Sequence, residues 1–282
     1  MALLRVTSRC NQRCRFCSYP DDGTEKEPGL SAWLRDLDDW AGGLVQISGG
    51  EPLLRRFGDL LALVERCARR RLQVEFQTNA VLLADLDAAA LAKLVAAVRR
   101  SSGYFNVNFP AHAPALDARI TGVKGHFLKR ERSVQRLLGA GASVRLTHVI
   151  NALNYRAVPS FVAYLKQRLA GVAWVQFSFV KGAGRASTRS GLVPSYRQVS
   201  RPLTEGLRAA AAWGIRCEVD HIPVCFIKDF WTCHVDVRKM LGRKPGPHQV
   251  EKQKVARCRG CSFAPVCSGP RVDYLALRPD FR

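Results

Sequence analysis

Three cysteines fall within eight residues of the stretch CNQRCRFC, at Cys10, Cys14 and Cys17. Thiolates are soft ligands, and three of them at C-x3-C-x2-C spacing on one loop form a metal site. The missing fourth ligand sets the chemistry. Closed zinc sites and electron-transfer iron–sulfur clusters take four protein ligands, so a [4Fe–4S] cluster on three thiolates leaves one iron open to another ligand. A second set lies near the other end of the chain: Cys225, then Cys258, Cys261 and Cys267 at C-x2-C-x5-C spacing. Four thiols complete a tetrahedral set, and the spacing alone admits either zinc or [4Fe–4S]. Of the remaining cysteines, Cys67 falls on the apolar face of a helical pattern and is expected in the core.

A second motif accompanies the first cysteine loop. Ser48-Gly49-Gly50-Glu51-Pro52 follows the apolar run Leu44–Ile47, where glycines let backbone approach a ligand and Glu51 could accept hydrogen bonds from an ammonium group. Together, C-x3-C-x2-C with aromatic Phe16 before its last cysteine and this GGEP stretch resemble the signature of radical S-adenosylmethionine (SAM) enzymes. The resemblance implies a cluster on Cys10, Cys14 and Cys17 whose open iron is chelated by the amino and carboxylate groups of SAM. One electron then splits the sulfonium, and the 5′-deoxyadenosyl radical takes hydrogen from an unactivated carbon. It further implies Phe16 near the adenine and Ser48, Gly49, Gly50 and Glu51 at the methionyl end. Gln77 and Asn79 would meet SAM from a third strand tip, and Asn106, Asn108 and Arg119 from a fourth. His148 is a further candidate, although the alternation around it leaves its face undecided. The tail set resembles the auxiliary-cluster region of SPASM and twitch-domain members. It departs from full SPASM, since no cysteine follows Cys267. One auxiliary [4Fe–4S] cluster on Cys225, Cys258, Cys261 and Cys267 is therefore expected. Cys217 lies in a strand-like run and is expected to pack, and Cys233, near Cys225 and beside His234, could replace a ligand or line the substrate cavity. Either is a candidate hydrogen donor to a substrate radical, as thiols are in radical epimerases of this superfamily.

The expected reaction is abstraction of hydrogen from a small metabolite or peptide, leading to oxidation, epimerisation or cross-linking. Its electron would come from a donor such as flavodoxin or ferredoxin. An RNA-modifying enzyme is the first alternative. Lys and Arg number 44 against 23 Asp and Glu, a net charge of +21, and such a balance suits anionic partners. The excess is scattered, however, and no RNA-binding motif accompanies it. A non-catalytic iron–sulfur or zinc protein is the second alternative, and it leaves the GGEP stretch unexplained. No apolar run has the ~18 residues of a membrane span. Ten cysteines in a chain without a signal-peptide pattern favour metal binding in a reducing cytoplasm over disulfides.

These residues need a frame, and the sequence supplies one. Strand-like apolar runs at Leu3–Thr7, Leu44–Ser48, Leu72–Gln77, Tyr104–Phe109, Ser143–Ile150 and Val172–Val180 alternate with helical patterns at Ser31–Trp40, Phe57–Arg70, Ala88–Val98, Lys129–Leu138 and Val158–Leu169. Ser31 reads as a helix cap. Alternation of this kind gives an α/β fold with a parallel sheet, and six units match the partial (β/α)6 TIM barrel of the resembling family. The barrel is expected over residues 1–185, with a small cysteine-rich auxiliary domain over 186–282 that contains a helix at Tyr196–Trp213 and a short strand at Ile215–Val219. Ligands should then gather at the carboxyl ends of the strands.

Overall fold

The computed structural model describes residues 2–20, 27–187, 190–242 and 247–281. Its centre is one parallel sheet whose strands follow chain order: β1 (Ala2–Thr7), β2 (Leu44–Gly49), β3 (Gln73–Thr78), β4 (Tyr104–Asn108), β5 (Val144–Ile150), β6 (Trp174–Phe179) and β7 (Cys217–Asp220). Between them run α1 (Leu30–Asp38), α2 (Phe57–Arg69), α3 (Ala88–Arg100), α4 (Pro114–Thr121), α5 (His126–Gly139), α6 (Val158–Arg168) and α7 (Tyr196–Ala212). The cysteine-rich tail adds α8 (Val235–Leu241) and α9 (Val272–Leu277). Parallel neighbours in sequential order require each connection to return across the same face of the sheet, which places the helices outside and the carboxyl ends together.

The six expected strands are present, and the sheet continues by one. The short strand read as part of the appended region is β7, which pairs with β6 in parallel and sets Asp220 opposite Ser178. One local expectation is corrected. Gly29 rather than Ser31 precedes α1, without a side-chain cap, and Ser31 lies inside the first turn. The short helix α4, which carries Arg119, interrupts a stretch without clear apolar periodicity, and a proline in its first turn helps to start it.

The two faces of the sheet differ in chemistry. Outward-pointing Val45, Ile47, Val74, Phe76, Phe105, Val107, Val144, Leu146, Val175 and Phe177 are fully buried, and with Leu63, Leu94, Val134, Leu137 and Phe161 of the helices they form the core. Burial of each such side chain contributes roughly 1.5–3 kcal/mol. Cys67 of α2 lies in this core, as expected. The alternate positions are polar, and the strand register aligns them: Gln46 stands opposite Glu75, Gln77 opposite Asn106, Asn108 opposite Thr147, and Thr147 opposite Gln176. A closed barrel of this size would fill its interior with apolar branched side chains. The polar lining here suits an open barrel that holds a ligand.

Candidate active site

At the floor of the polar face sits Glu75, buried and central. It accepts hydrogen bonds from Gln46 Nε2 (2.9 Å), Gln77 Nε2 (2.9 Å), Tyr104 Oη (2.8 Å) and Asn106 Nδ2 (2.8 Å), and it pairs with Arg145. Burial alone would push its carboxyl up, but the Arg145 guanidinium and these hydrogen bonds hold it below the usual range. This network orients the layer above it. Gln77 accepts from Ser48 Oγ at 2.7 Å, and Asn106 Oδ1 accepts from Thr147 Oγ1 at 2.7 Å.

That upper layer opens into a cavity of about 250 Å³ where the cysteine loop meets the strand tips. Cys10, Cys14, Phe16, Cys17, Ser48, Gly49, Gly50, Gln77, Asn79, Asn106 and Asn108 all line it. A neighbouring space of about 270 Å³ shares the three cysteines and both glycines and adds Arg13, Tyr19 and Arg185. The loop is held against β2 by backbone. Gly50 N donates to Thr7 O at 2.7 Å and Glu51 N to Arg9 O at 2.8 Å. Gly49 has φ +133°, and a Cβ on Gly50 would collide with the carbonyl oxygens of Ser8 and Arg9. Only glycine permits this approach.

The lining fits a thiolate-bound cluster with a polar organic ligand beside it. Burial pushes the Cys10 thiol up to about 11 and the Cys14 thiol up to about 12, each raised further by neighbouring cysteines of the loop. Such thiols ionise when a cation compensates them, as metal binding does. Asn79 Nδ2 reaches Asn11 Oδ1 at 2.6 Å and Cys10 Sγ at 3.9 Å. Asn108 Oδ1 is buried and without a partner, which leaves an acceptor for a ligand donor.

Three expected cofactor contacts are placed elsewhere. Glu51 does not line the cavity. It is fully buried and accepts from Leu53 N (3.1 Å), Thr78 Oγ1 (2.7 Å) and Asn79 N (2.7 Å). Burial pushes its carboxyl up against these bonds and the Arg130 charge, and its work is to clamp the tips of β2 and β3 together. His148 points outward between Phe161, at 4.1 Å between ring centroids, and Phe177. Its neighbours Thr147 and Val149 occupy the cavity face instead. Arg119 is exposed on α4 and lines a separate cavity with Tyr155, Arg156 and Arg278. Sequence reasoning also passed over Gln12 and Thr78, which line the cysteine cavity. Gln12 sits inside the cysteine motif itself, a signal that was available.

In the tail, Cys225, Cys258, Cys261 and Cys267 line one cavity of about 180 Å³ with Pro223, Phe226 and Phe281. The space is several times that of a single water or ion, so the donor set and volume fit a multinuclear cluster. Burial pushes the Cys225 thiol up to about 11, helped by the other three cysteines, which marks their convergence. Among the described residues no group of three or more His, Cys, Asp or Glu is arranged to hold a single metal ion, at either cysteine set. Cys217 and Cys233, the hydrogen-donor candidates, do not line the cysteine-loop cavity. Cys217 opens β7 opposite Val175, at the amino end of the sheet and on its helix-facing side. Burial pushes its thiol up to about 12, with Cys233 as the next contributor, so the two thiols are neighbours of one another away from the strand tips.

Comparison with known proteins agrees with this geometry. The PqqA peptide cyclase of Methylorubrum populi is 31% identical over 165 residues, covering 57% of this chain and 41% of that protein. The chain thus spans less than half the length of this curated relative. Streptococcus suis SuiB bound to S-adenosylmethionine superposes with a TM-score of 0.66 at 13% identity, covering 98% of this chain and 73% of that one. SuiB bound to its precursor peptide SuiA gives 0.60 at 15% identity, covering 78% and 48%. These structures share the fold. Residues 4–164, more than half of the chain, match the Radical SAM superfamily, and the chain belongs to that superfamily.

Proposed function

We propose that this protein is a radical SAM enzyme that abstracts hydrogen from a peptide substrate and so directs a cross-link or related oxidation. The observation that carries the reading is the single cavity shared by Cys10, Cys14, Cys17, the Gly49–Gly50 turn and the polar tips of β2, β3 and β4. When bound, a [4Fe–4S] cluster and SAM supply a 5′-deoxyadenosyl radical able to take hydrogen from an unactivated C–H bond. The chain's own residues hold and orient. Cys10, Cys14 and Cys17 would ligate the cluster, backbone at Gly49 and Gly50 would receive the methionyl end, and Asn79, Asn106 and Asn108 offer hydrogen bonds around the nucleoside. Phe16 supplies an apolar face for the adenine. The hydrogen-bonded floor around Glu75 holds the pocket's polar lining in place. No general acid or base is required of the protein.

A second cluster in the tail cavity would exchange an electron with the product or anchor the substrate. On this reading residues 1–185 carry the hydrogen-abstracting chemistry and residues 186–282 the auxiliary chemistry. The name and substrate of the PqqA peptide cyclase support a peptide over a small metabolite, and a soluble donor such as flavodoxin or ferredoxin would supply the electron. No helix among the described residues is long and apolar enough to cross a membrane.

The test is iron and sulfide content after anaerobic reconstitution of wild type and of a Cys10/Cys14/Cys17→Ala triple variant. About eight irons falling to about four, with loss of SAM cleavage to 5′-deoxyadenosine, supports both sites. Wild type with about four irons and one zinc would make the tail a structural metal site. Absence of iron would end the radical reading.

A further inference from the structure

The cavity that holds Arg119 is larger than either space around the first cysteine loop, about 370 Å³ against about 250 and 270 Å³. It contains no cysteine, and three arginines, Arg119, Arg156 and Arg278, converge on it. Among the described residues no Asp or Glu lines it, and no carboxylate pairs with these arginines. We infer that this cavity is a second substrate subsite, built to take the carboxylates of an acidic peptide segment.

Three like charges facing one concave space repel each other, and the repulsion is relieved only by solvent or by an anion between them. Two of the guanidinium groups are already fixed. Arg278 Nη2 donates to Val193 O at 2.8 Å. Arg156 Nε donates to Tyr155 Oη at 2.9 Å, with its guanidinium 5.4 Å from that ring. Each keeps further N–H donors, and a guanidinium fork matches a carboxylate with two parallel hydrogen bonds. Pre-set donors of this kind lower the ordering cost of binding. The volume falls within the range of ligand sites.

The position favours substrate over an unrelated ligand. The lining follows the carboxyl ends of three strands: Arg119 lies after β4, Leu153 and Arg156 after β5, and Gln198 after β6. It therefore opens on the same end of the sheet as the cysteine cavity. The helix that carries Arg119 also accepts the cysteine loop, with Arg13 N bonded to Thr121 O at 2.8 Å and Arg15 N to Ile120 O at 2.9 Å. A peptide seated here lies beside the element that borders the reacting centre. The lining does not suit nucleic acid. The one aromatic ring among its described lining residues, Tyr155, is 7% exposed and offers no face for bases to stack on.

The identification of the ligand as peptide rests on the proposed function, and the test separates the two. Binding of a fluorescein-labelled octapeptide of alternating Glu and Ala to the reconstituted full chain would be followed by anisotropy, with the Gln/Ala octapeptide as control. The Glu peptide is expected to bind at least tenfold tighter. Arg119→Gln and Arg156→Gln, both at exposed positions, should each weaken it roughly tenfold. Arg201→Gln, on the far-exposed pair with Glu205, should change nothing. Equal binding of the two peptides, or indifference to both arginine variants, overturns the inference. So does a short single-stranded RNA or inorganic phosphate that binds with the same arginine dependence where the peptide does not. SAM cleavage without peptide is measured in the same preparations. Cleavage retained with peptide binding lost sinks the subsite alone, and the reverse sinks the radical reading alone.

Discussion

At the residue scale, two buried side chains show how polar groups serve the site without touching a ligand. Glu51 receives three protein donors at distances of 2.7 to 3.1 Å and reaches no cavity. In Glu51→Gln, Oε1 can still accept from Thr78 and Leu53, but the new amide nitrogen faces the Asn79 N–H. Two donors then oppose one another in a dry place, and a loss of about 2 kcal/mol or more is expected in thermal or denaturant unfolding. His148 gives a pH signature. Burial between Phe161 and Phe177 holds it down to about 4, the Phe109 carbonyl opposing and His112 adding to the shift. Its folded value lies below the unfolded one, near 6.5, so below that pH the unfolded chain binds the extra proton. Stability should therefore fall as the pH drops from about 6.5 to about 4, by at most about 1.4 kcal/mol per unit from this group. His148→Phe should flatten that limb in a series of melts, and an unchanged slope would refute the assignment.

The decisive junction at the element scale joins the tips of β1 and β2. Gly50 lies against the carbonyls of Ser8 and Arg9, which are rigid backbone rather than yielding side-chain ends. Gly50→Ala is expected to displace the cysteine loop and lower bound iron by up to about four per chain. Gly43→Ala, at a position with open space around it, serves as the matched control and should bind iron as wild type does. Iron content and the cluster's visible absorption measure both. The strand alternation also explains the polar interior. Most strand positions place apolar side chains against the helices and amides, acids and hydroxyls inward, with exceptions such as His148 and Val149 of β5, so one folding pattern builds both core and site.

At the scale of the whole molecule, the tail is joined to the sheet by charge and by stacked rings. Lys252 is almost fully buried and pairs with Asp220 at the tip of β7 and with Asp236 of α8. The nearby charges of His221 and Lys252 hold Asp220 well below the usual carboxylate range against its burial. Tyr196 stacks on Tyr274 at 3.7 Å between centroids, flanked by Phe179, Phe226 and Phe281. Removal of the cation in Lys252→Met strands two buried carboxylates, at a cost of about 3–5 kcal/mol. Faster amide exchange across residues 247–281 should accompany the lower melting temperature. Wild-type exchange there would mean that the aromatic stack alone suffices.

The sequence by itself determined where thiol ligands cluster along the chain and the order of the fold. Cys10, Cys14, Cys17 and the Gly49–Gly50 turn were legible because ligand spacing and close backbone approach are local demands, satisfied within a few residues. The alternating runs likewise disclosed the parallel sheet, because apolar periodicity is written along the chain. Tertiary structure alone decided which polar residues serve the site. A strand's side chains change face with a one-residue step, so His148 and Thr147 exchange roles according to a register set by β4 and β6. Arg119 left the cysteine cavity because a helix without apolar periodicity aims it elsewhere. The strand-like run around Cys217 already read as packing, and the structure adds that β7 pairs with β6 and sets that residue opposite Val175. The convergence of Cys225 with cysteines more than thirty positions later, like the docking of Lys252, arises from long-range packing, which no local spacing encodes.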